Sequence, residues 1–508
     1  MSINRREFLK TATVGAAMMA LPDWVKASSE SAKTQSSSAP SESVQVKATS
    51  RPSDRPNILL ILSDDQSVPH LGCYNNPDIR TPNLDKLAAQ GMRFDRAYVT
   101  CPQCSPSRSS IFTGRSPIGI QTSRFFAPLP AEVKTCMEHL KGAGYYTGLA
   151  GRSHHQDGAG SYLPQIERLF EQRGLRTMAK RVDFLKIATK RPEVLTQYRE
   201  FLDQVPHGSA GGAHTPFFLQ LCFFEPHRPL AENVIPQPHD PKTLKLPGHF
   251  PDIEPARVDL ALYYDAIARM DMEMGEVLAE LERRGLADNT VVVFMGDNGA
   301  SQLRGKGTLF EFGIHVPLLV RWPRGIKPAS SCENLISGED LCPTFLDLAG
   351  LDAPAEITGK SFLPQLRGQA SEQRKYVFAE RGAHGYGLPY NTVTFDQSRC
   401  VVSDTHKLIY NAMWQQPYVP VDFSDGPLWK EMTAMHKAGT LSPQLDKLYF
   451  PPTRPMFELY NLKDDPFEMN TLCDEPSVQG LWREMALAMT EWMIMERDFL
   501  PLPVEPKP

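Results

Sequence analysis

Continuous runs of apolar residues alternate with amphipathic stretches over most of the chain. The first run, Ile58 to Leu62, has the length of a strand and no polar position, which is typical of a strand buried on both faces. Similar runs occur in TPFFLQLCFF, TVVVFMGDNG and VPLLVRWP, and apolar residues recur at helical spacing from Tyr263 to Leu281. This alternation predicts an α/β fold with a large, mostly parallel or mixed sheet sandwiched by helices.

The pattern changes at about residue 371. Four short strand-like segments, KYVFAE, SRCVVSD, HKLIYNAM and MFELYNL, are joined by turns, and a helix is predicted from about Val478 to Arg497. We therefore expect an α/β domain over 55–370, followed by a smaller C-terminal α+β subdomain over 371–508 with an antiparallel sheet and a helix.

The N-terminal segment has the pattern of an export signal. NRREFLK carries a twin arginine and precedes an apolar stretch too short to span a bilayer, with an A-x-A-like cleavage site at Val25 to Ala27. This predicts a twin-arginine signal peptide over 1–27, the twin-arginine translocase as a partner, a periplasmic or secreted location and no stable membrane anchor. Residues 28–54 are rich in Ser, Ala, Pro and charge, which predicts a disordered linker.

Composition narrows the classes of partner and of cysteine chemistry. The 508 residues carry a formal net charge of -5 without a long basic run, so nucleic acid is not an expected partner. The nine cysteines lack the paired spacing of a zinc site. Cys101 and Cys104 form a C-x-x-C, which leaves a redox motif or half a metal site open, although no thioredoxin-like unit surrounds it.

Polar residues follow the ends of the predicted buried strands. Asp64 and Asp65 follow the first strand, His227 follows another, and Asp297 and Asn298 follow a third. Because the carboxyl ends of parallel strands meet at one edge of a sheet, these side chains are expected to lie together. Three carboxylates and an amide without a competing thiolate suit a hard divalent cation, Ca²⁺ or alternatively Mg²⁺.

Cationic and imidazole side chains occur close to these strand ends in the sequence. Lys306, for example, lies in a glycine-flanked loop shortly after Asp297. Such a set could cradle a tetrahedral anion. The set comprises Arg108, Arg152, His154, His155, His227, Arg228 and Lys306.

The segment CPQCSPSRSSIFTG raises the question of what Cys104 does. If Ser105 caps a helix with Pro106 at its first position, Cys104 lies at the positive end of a helix dipole, near Arg108. A thiol there is expected to have a lowered pKa and to be nucleophilic. The residues alone lead to an activated Cys104 that faces a hard cation, and no further.

The same segment resembles a known family. CSPSRSSIFTG matches the type I sulfatase signature C-x-P-S-R-x-x-x-[LF]-T-G, and GYYTGLAGRSHH, FFEPHRP, RGKGTLFEFGIHVPLLVRWP and FELYNLKDDPFEMNTL are further collinear matches over nearly all of 55–508. The layout is most similar to the heparan N-sulfatase (sulfamidase) branch and its bacterial relatives. The resemblance implies an alkaline-phosphatase-like fold with 55–370 as the catalytic domain.

The resemblance also implies roles for residues. Cys104 would be oxidised to formylglycine (3-oxoalanine) by a separate maturing enzyme, and its hydrated gem-diol would attack sulfur. Arg108 would hold the formylglycine hydroxyl, and His154 would lie beside the nucleophile. His227 would be the general acid for the departing group, and Lys306 would bind sulfate. The implied Ca²⁺ ligands are Asp64, Asp65, Cys104 in its modified form, Asp297 and Asn298.

One position departs from the family pattern. Members usually carry Gly-Lys-x-His where this chain has Gly151-Arg152-Ser153-His154. Arg152 keeps the positive charge and can bind sulfate, but it cannot donate a proton near neutral pH. Any role that needs the protonation change of a lysine is therefore in doubt.

The expected function is that of an exported sulfatase acting on sulfate esters, or N-sulfate, of a sulfated oligo- or polysaccharide. One alternative is a phosphonate monoester hydrolase or phosphodiesterase of the same superfamily. Another is a non-catalytic sulfated-glycan-binding protein that keeps Cys104 as a thiol. Specificity is expected on loops, where candidate sugar contacts include Arg124, Phe125, His384, Tyr386 and Trp414.

Overall fold

The structure is a computed structural model of the chain. It describes residues 55–125, 127–152, 170, 172–173, 177–206, 215–370, 372–384 and 391–503. The predicted signal peptide over 1–27, the predicted linker over 28–54 and the candidate residues His154, His155 and Tyr386 lie outside these described residues.

A mixed sheet of eight strands forms the centre of the described chain. Its strands are β1 (Asn57–Ser63), β2 (Met92–Phe94), β4 (Tyr146–Gly151), β5 (Phe184–Leu185), β6 (Phe217–Cys222), β7 (Thr290–Gly296), β8 (Leu318–Arg321) and β9 (Ser330–Cys332). They lie in the order β5-β4-β6-β1-β7-β8-β2-β9. Two further short strands, β3 (Ala97–Tyr98) and β10 (Ile336–Ser337), pair with each other in parallel.

Strand β1 lies between two parallel neighbours, and this arrangement positions the candidate site. Leu62 is opposite Cys222 of β6, and Ser63 is opposite Gly296 of β7. The segments that follow β1 and β7 therefore leave the sheet at the same edge. Strand β8 runs antiparallel to β7, so the sheet is mostly parallel but mixed, as the sequence predicts.

Helices cover both faces of this sheet. Their bounds are α1 (Pro82–Ala89), α2 (Cys104–Thr113), α3 (Cys136–Gly142), α4 (Glu193–Gln204), α5 (Glu254–Arg283), α6 (Glu311–Ile314), α7 (Leu341–Leu348) and α8 (Leu363–Leu366). Side chains of β1 alternate between the two faces: Ile58 and Leu60 pack in the core that includes residues of α2, α3 and α7, whereas Leu59 and Ile61 pack in the core with α1, α4 and α5. Burial of β1 on both faces explains its uninterrupted apolar sequence.

The C-terminal part contains the predicted small antiparallel sheet. Its strands are β11 (Val377–Ala383), β12 (Phe395–Val402), β13 (His406–Asn411) and β14 (Phe457–Asn461), paired in chain order. The C-terminal part also contains the helices α9 (Pro427–Ala438), α10 (Pro443–Tyr449) and α11 (Gln479–Met495). Leu408 and Leu459 of the sheet share a core with Trp482 and Met489 of α11. The predicted fold class is confirmed.

Helix α2 begins earlier than the sequence analysis predicts. Gln103 is the N-cap, with extended dihedral angles, and its carbonyl accepts the first helical hydrogen bond from the Ser107 N–H at 3.0 Å. Ser105 and Pro106 therefore lie inside the first turn, where the missing N–H of proline costs no helical hydrogen bond. The prediction that Ser105 is the N-cap is wrong by two positions.

None of the helices in the described residues combines the length and apolar character required to cross a bilayer.

Candidate functional site

The polar residues after β1 and β7 meet at one buried cluster. Asp64 and Asp65 follow β1, and Asp297 and Asn298 follow β7, and all four side chains are fully buried. The Asp65 backbone N–H donates to Asp297 Oδ1 at 3.0 Å, and Asn298 Nδ2 donates to Asp65 Oδ1 at 2.8 Å. The structure thus brings together the four residues that the sequence analysis paired.

The chain turns sharply at Asp65, whose φ of 71° lies in the left-handed region. Tyr263 of α5 donates its hydroxyl to the Asp65 carbonyl at 2.6 Å. A non-glycine residue in this conformation costs free energy and needs such support from its surroundings. The turn aims the Asp65 carboxylate at the cluster instead of continuing the strand.

Helix α2 places Cys104 and Arg108 against the carboxylates. Cys104 Sγ lies 3.4 Å from Asp64 Oδ1 and 3.8 Å from Asp65 Oδ1. One turn later, Arg108 donates from Nε to Asp297 Oδ2 at 2.8 Å and from Nη2 to Asp64 Oδ2 at 3.1 Å. Its Nη1 donates to the Arg152 carbonyl at 3.0 Å, so this fully buried guanidinium joins three segments of the site.

Two further cations reach the cluster from other elements. Arg152, directly after β4, places Nη1 3.2 Å from Asp64 Oδ2. Lys306 places Nζ 2.9 Å from Asp65 Oδ1 and 2.8 Å from Asp422 Oδ2. Both predicted anion-binding cations therefore lie at the carboxylate cluster.

His227 lies at the edge of the cluster, with Nε2 3.9 Å from Asp65 Oδ2. Its Nδ1 is hydrogen-bonded to the Arg228 carbonyl, so Nδ1 carries the proton and Nε2 of the neutral ring presents a lone pair. Burial and the nearby Lys306 ammonium lower the pKa of His227 to about 4. An anion bound beside the ring would raise this pKa, because a negative charge favours the imidazolium.

The pKa values of the three buried aspartates shift in different directions. Burial raises the pKa of Asp65 to about 6 and, together with the charge of Asp64, that of Asp297 to about 6. Burial acts on Asp64 in the same sense, but the nearby Arg152 and His227 hold the pKa of Asp64 well below its usual range. Asp64 is the best-compensated carboxylate of the cluster.

The thiol of Cys104 does not have the lowered pKa predicted from the helix dipole. Burial, and the negative charge of Asp64, raise the pKa of Cys104 well above its usual value. The nearby carboxylates outweigh the end of α2, so the unmodified residue is a poor thiolate nucleophile. Cys101 and Cys104 are both free thiols, and the Cys101 thiol donates to Gln103 Oε1 at 3.4 Å.

The donor set of the cluster fits a hard divalent cation. Oxygens of Asp64 and Asp297 lie within 4.8 Å of each other and of Cys104 Sγ. Asn298 Oδ1 is buried and has no hydrogen-bond partner among the described residues. Carboxylate and amide oxygens are the ligands that Ca²⁺ and Mg²⁺ prefer, and the unpartnered amide oxygen is a group that such an ion would satisfy.

The sequence does not predict that Asp422 and His384 belong to the site. Asp422, which pairs with Lys306, carries no signal in the sequence, because it lies in a turn more than a hundred residues from Lys306 and follows no apolar strand. The sequence predicts His384 only as a loop contact with sugar, whereas in the structure its Nε2 lies 3.7 Å from Asp422 Oδ1. No local pattern in the sequence marks this contact.

An open groove of about 530 Å³ borders the cluster. It is lined by His227, Arg228, Asp259, Asp422 and Phe423, among others. Arg228 is held by Asp259 at 2.7 Å and lies over the Phe423 ring, 4.9 Å from its centre. The groove gives solvent-facing space directly beside the His227 ring.

Comparisons with known proteins show the family to which the chain belongs. The sequence model of the sulfatase family matches residues 56–351, and a model described as N-sulphoglucosamine sulphohydrolase, C-terminal, matches residues 299–448. The chain is 28% identical over 454 residues to an ulvan-active sulfatase of Formosa agariphila, covering 88% of this chain and 82% of that protein. It is 28% identical over 480 residues to human N-sulphoglucosamine sulphohydrolase, covering 87% and 90%.

Solved structures with low sequence identity share the fold. A protein solved in complex with its substrate D-glucosamine-2-N,6-O-disulfate aligns with a TM-score of 0.64 and 19% identity, over 89% of this chain and 100% of that chain. A phosphonate monoester hydrolase of Silicibacter pomeroyi aligns with a TM-score of 0.63 and 20% identity, over 88% and 96%. The family match spans more than half of the chain, and with it the resemblance seen in the sequence is confirmed: the protein belongs to the sulfatase family and is a sulfuric ester hydrolase.

Proposed function

We propose that this protein removes sulfate, as an ester or as N-sulfate, from a sulfated oligo- or polysaccharide, using formylglycine made from Cys104 and a bound Ca²⁺ ion. The observation that carries the proposal is the position of Cys104 Sγ, 3.4 Å from Asp64 Oδ1 and 3.8 Å from Asp65 Oδ1, the two carboxylates that Arg108, Arg152 and Lys306 contact. A nucleophile at this position meets both an oxygen-rich metal site and a cationic cradle.

The proposed metal ligands are Asp64, Asp65, Asp297, Asn298 and the modified residue 104. Together with Asp422, the three aspartates give four carboxylates against three permanent cations, Arg108, Arg152 and Lys306. A divalent cation reverses that balance, so that the site can receive an anion. When bound, Ca²⁺ supplies Lewis-acid polarisation of a sulfate oxygen and favours deprotonation of a nearby hydroxyl.

The chain's own residues orient the nucleophile. Hydrated formylglycine supplies a hydroxyl group where the thiol now lies. Asp64 Oδ1 is within reach of a proton on that hydroxyl, and Arg108 is fixed in place by Asp64 and Asp297. Because α2 holds residue 104 and Arg108 one turn apart, their relative position is set by the helix itself.

Arg152 and Lys306 are the proposed sulfate-binding cations. They approach the cluster from separate elements, and charge-assisted hydrogen bonds from a guanidinium and an ammonium suit a tetrahedral oxyanion. Arg152 Nε has no hydrogen-bond partner among the described residues, which leaves a donor for the incoming anion. His227 Nε2, beside the groove, is placed to serve the departing oxygen or nitrogen once sulfate has raised its pKa.

The relatives support a carbohydrate substrate. One is named an ulvan-active sulfatase and another an N-sulphoglucosamine sulphohydrolase. We infer further that the chain is exported through the twin-arginine route to the periplasm or the cell exterior, after a maturing enzyme has acted on Cys104. The NRREFLK segment supports the export route.

The first test measures residue 104 directly. We expect the peptide with residue 104, taken from protein made in its native host, to be lighter than the unmodified peptide, because the conversion exchanges sulfur for oxygen and removes two hydrogens. Cys104→Ala should abolish sulfate release, whereas the matched variant Cys101→Ala should keep it. Active protein that contains only the thiol would contradict the proposed cofactor.

The second test separates the reaction classes. Sulfate ester, N-sulfate, phosphodiester and phosphonate monoester substrates are compared with one enzyme preparation. We expect kcat/KM to be highest for a sulfated saccharide. Turnover of phosphonate or phosphodiester far above that of every sulfate would replace the proposed substrate class. Tight glycan binding without any turnover by formylglycine-containing protein would instead indicate a binding protein.

A further inference from the structure

A second cavity, of about 300 Å³, is lined by Gly307, the residue after Lys306, and by residues of the small C-terminal sheet. None of the residues proposed for metal or sulfate binding lines it. Two arginines that do line it, Arg304 and Arg381, are only 5% and 1% exposed. Buried guanidinium groups are uncommon unless an anion or a full set of acceptors surrounds them.

These two arginines keep unused donors. Arg381 Nη2 donates to the Thr392 carbonyl at 2.7 Å, but Arg381 Nε and Nη1 have no hydrogen-bond partner among the described residues. Arg304 Nη2 donates to the Glu468 carbonyl at 2.6 Å, and Arg304 Nε is likewise without a partner there. Unpaired donors of a buried charged group cost free energy unless a ligand accepts from them.

The buried carboxylates that line the cavity are already engaged. Asp396 binds Arg454 through two hydrogen bonds of 2.7 and 2.8 Å. Glu458 accepts from Asn411 Nδ2 at 2.7 Å. No described carboxylate lies within 4.0 Å of an Arg381 nitrogen, and burial lowers the pKa of Arg381. Arg381 therefore has no carboxylate in direct contact, whereas the negative charges of Glu468 and Glu458 lie near enough to Arg304 to favour its charged form.

We propose that this cavity is a second binding site, separate from the sulfatase centre, for an oxyanion group held by Arg381 and Arg304. The planar donor fork of a guanidinium matches sulfate, phosphate and carboxylate oxygens. Exposed Lys447 and Asp474 line the cavity too, so it opens to solvent. Its volume exceeds that of one tetrahedral anion, so the anion can be free or part of a sugar.

A crystal soak of the whole chain tests the site and its two sources. Selenate serves as a sulfate analogue with a strong anomalous signal, and glucuronate serves as a sugar carboxylate. We expect a selenium peak beside Arg381, with a selenate oxygen within about 3 Å of Arg381 Nη1, separate from any peak at Lys306. Selenate alone indicates a free oxyanion, whereas bound glucuronate indicates an anionic sugar group. If both ligands are absent from the cavity at saturating concentration, the proposal is overturned.

A solution experiment tests the role of the arginine. Calorimetric titration with inorganic sulfate should show two sites in the wild-type chain, and Arg381→Gln should weaken one of them at least tenfold. Arg324→Gln removes an exposed guanidinium and the same charge, and it should leave both sites intact. Unchanged binding in a folded Arg381→Gln variant contradicts the assignment. If that variant does not fold, the soak of the wild-type protein decides.

Discussion

Arg152 occupies a position where sulfatases usually carry lysine, and its surroundings suit the larger group. Its Nη1 lies 3.2 Å from Asp64 Oδ2, and its guanidinium carbon lies 5.6 Å from the centre of the Phe224 ring. A planar guanidinium can bind a carboxylate, rest against an aromatic face and still present a free nitrogen, which an ammonium cannot do in the same way. The arginine thus keeps the charge and removes the option of proton donation.

Replacing this charge should lower activity strongly. We expect Arg152→Met to reduce kcat/KM about 10- to 100-fold, since a charge-assisted hydrogen bond contributes about 1.5–3 kcal/mol. Arg152→Lys should regain most of the kcat/KM that Arg152→Met loses. The basic limb of its pH profile of kcat should be the same as that of the wild type. Steady-state kinetics across pH measure both. Equal activity of the Met variant and the wild type would remove Arg152 from sulfate binding.

The buried carboxyl of Glu380 should make the free energy of unfolding depend on pH. Burial raises the pKa of this carboxyl from the usual 4.5 of a glutamate to about 7, and Glu380 Oε2 accepts from the Ile118 N–H at 3.1 Å. Between these two pH values the folded chain holds a proton that the unfolded chain has lost. The stability contributed by protonated Glu380 is therefore present at low pH and is lost as pH rises through this window.

The variant Glu380→Gln removes that loss. We expect its free energy of unfolding to match the wild type near pH 5 and to exceed it by about 1–3 kcal/mol at pH 8. Denaturant unfolding at the two pH values measures the difference. Glu372→Gln, which changes a highly exposed glutamate, should follow the wild type at both. If the free energy of unfolding of Glu380→Gln, relative to that of the wild type, were lower at pH 8 than at pH 5, the predicted direction of the pH dependence would be wrong.

At the scale of elements, α2 carries both Cys104 and Arg108 and is packed with little spare space. The helix ends at Gly114, with φ of 70°, and a Cβ built there would lie 2.8 Å from Ile357 Cγ2 and 3.1 Å from Cys342 Cβ. Glycine is therefore needed for its left-handed conformation and for its lack of a side chain. The Thr113-Gly114 end of the signature has a structural role in holding the helix.

A pair of variants separates these two requirements. Gly439 ends α9 with φ of 67°, and a Cβ there would meet nothing within 4 Å. We expect Gly439→Ala to cost about 1 kcal/mol from conformation alone, and Gly114→Ala to cost about 1–3 kcal/mol more from the added contacts. Chemical denaturation compares them. Equal costs would show that the surroundings of Gly114 relax freely.

Elements with a strong periodic pattern could be predicted from the sequence. Strand β1, helix α5 and the four short strands after residue 371 appear where the apolar spacing places them. The start of α2 could not be predicted in this way. Ser105-Pro106 is a common helix start, and only the extended conformation of Gln103 shows that the N-cap lies further upstream. Cap choice depends on tertiary contacts, which local sequence does not encode.

For the site, the sequence identifies groups that follow strands and misses those that arrive from elsewhere. Asp64, Asp65, Asp297 and Asn298 could be paired because parallel strands share an edge. Asp422 could not, since its contact with Lys306 depends on how a late turn packs against the main sheet. The raised pKa of Cys104 was missed for the same reason: three carboxylates near the thiol are a tertiary feature.

At the scale of the whole molecule, bound Ca²⁺ should couple the active site to stability. Two neighbouring strands, α2 and the Lys306 loop all contribute to the carboxylate cluster, so an ion bound there crosslinks distant segments. We expect a chelator to lower Tm by a few degrees and added Ca²⁺ to restore it, because an ion at a hundred times its Kd contributes about 2.7 kcal/mol. Calorimetry with and without chelator measures this.

A matched pair of variants tests where that ion acts. Asp297→Asn should remove the Tm response to Ca²⁺, whereas Asp404→Asn, at an exposed aspartate, should retain it. Retention of the full response in Asp297→Asn would locate the calcium effect outside the cluster.

The central position of β1 in the sheet also determines how late in translation the site can form. Its partner β7 begins roughly 230 residues after β1 ends, so a ribosome adding about 5–20 residues per second needs roughly 10–50 s to supply it. β6 is made before β7, so during the last part of that interval the β7 edge of β1 still lacks its partner, and the cluster that buries Cys104 in the folded chain cannot yet be complete. The proposed maturing enzyme would act before β7 closes the site, so slowing the ribosome between β1 and β7 should increase the modified fraction.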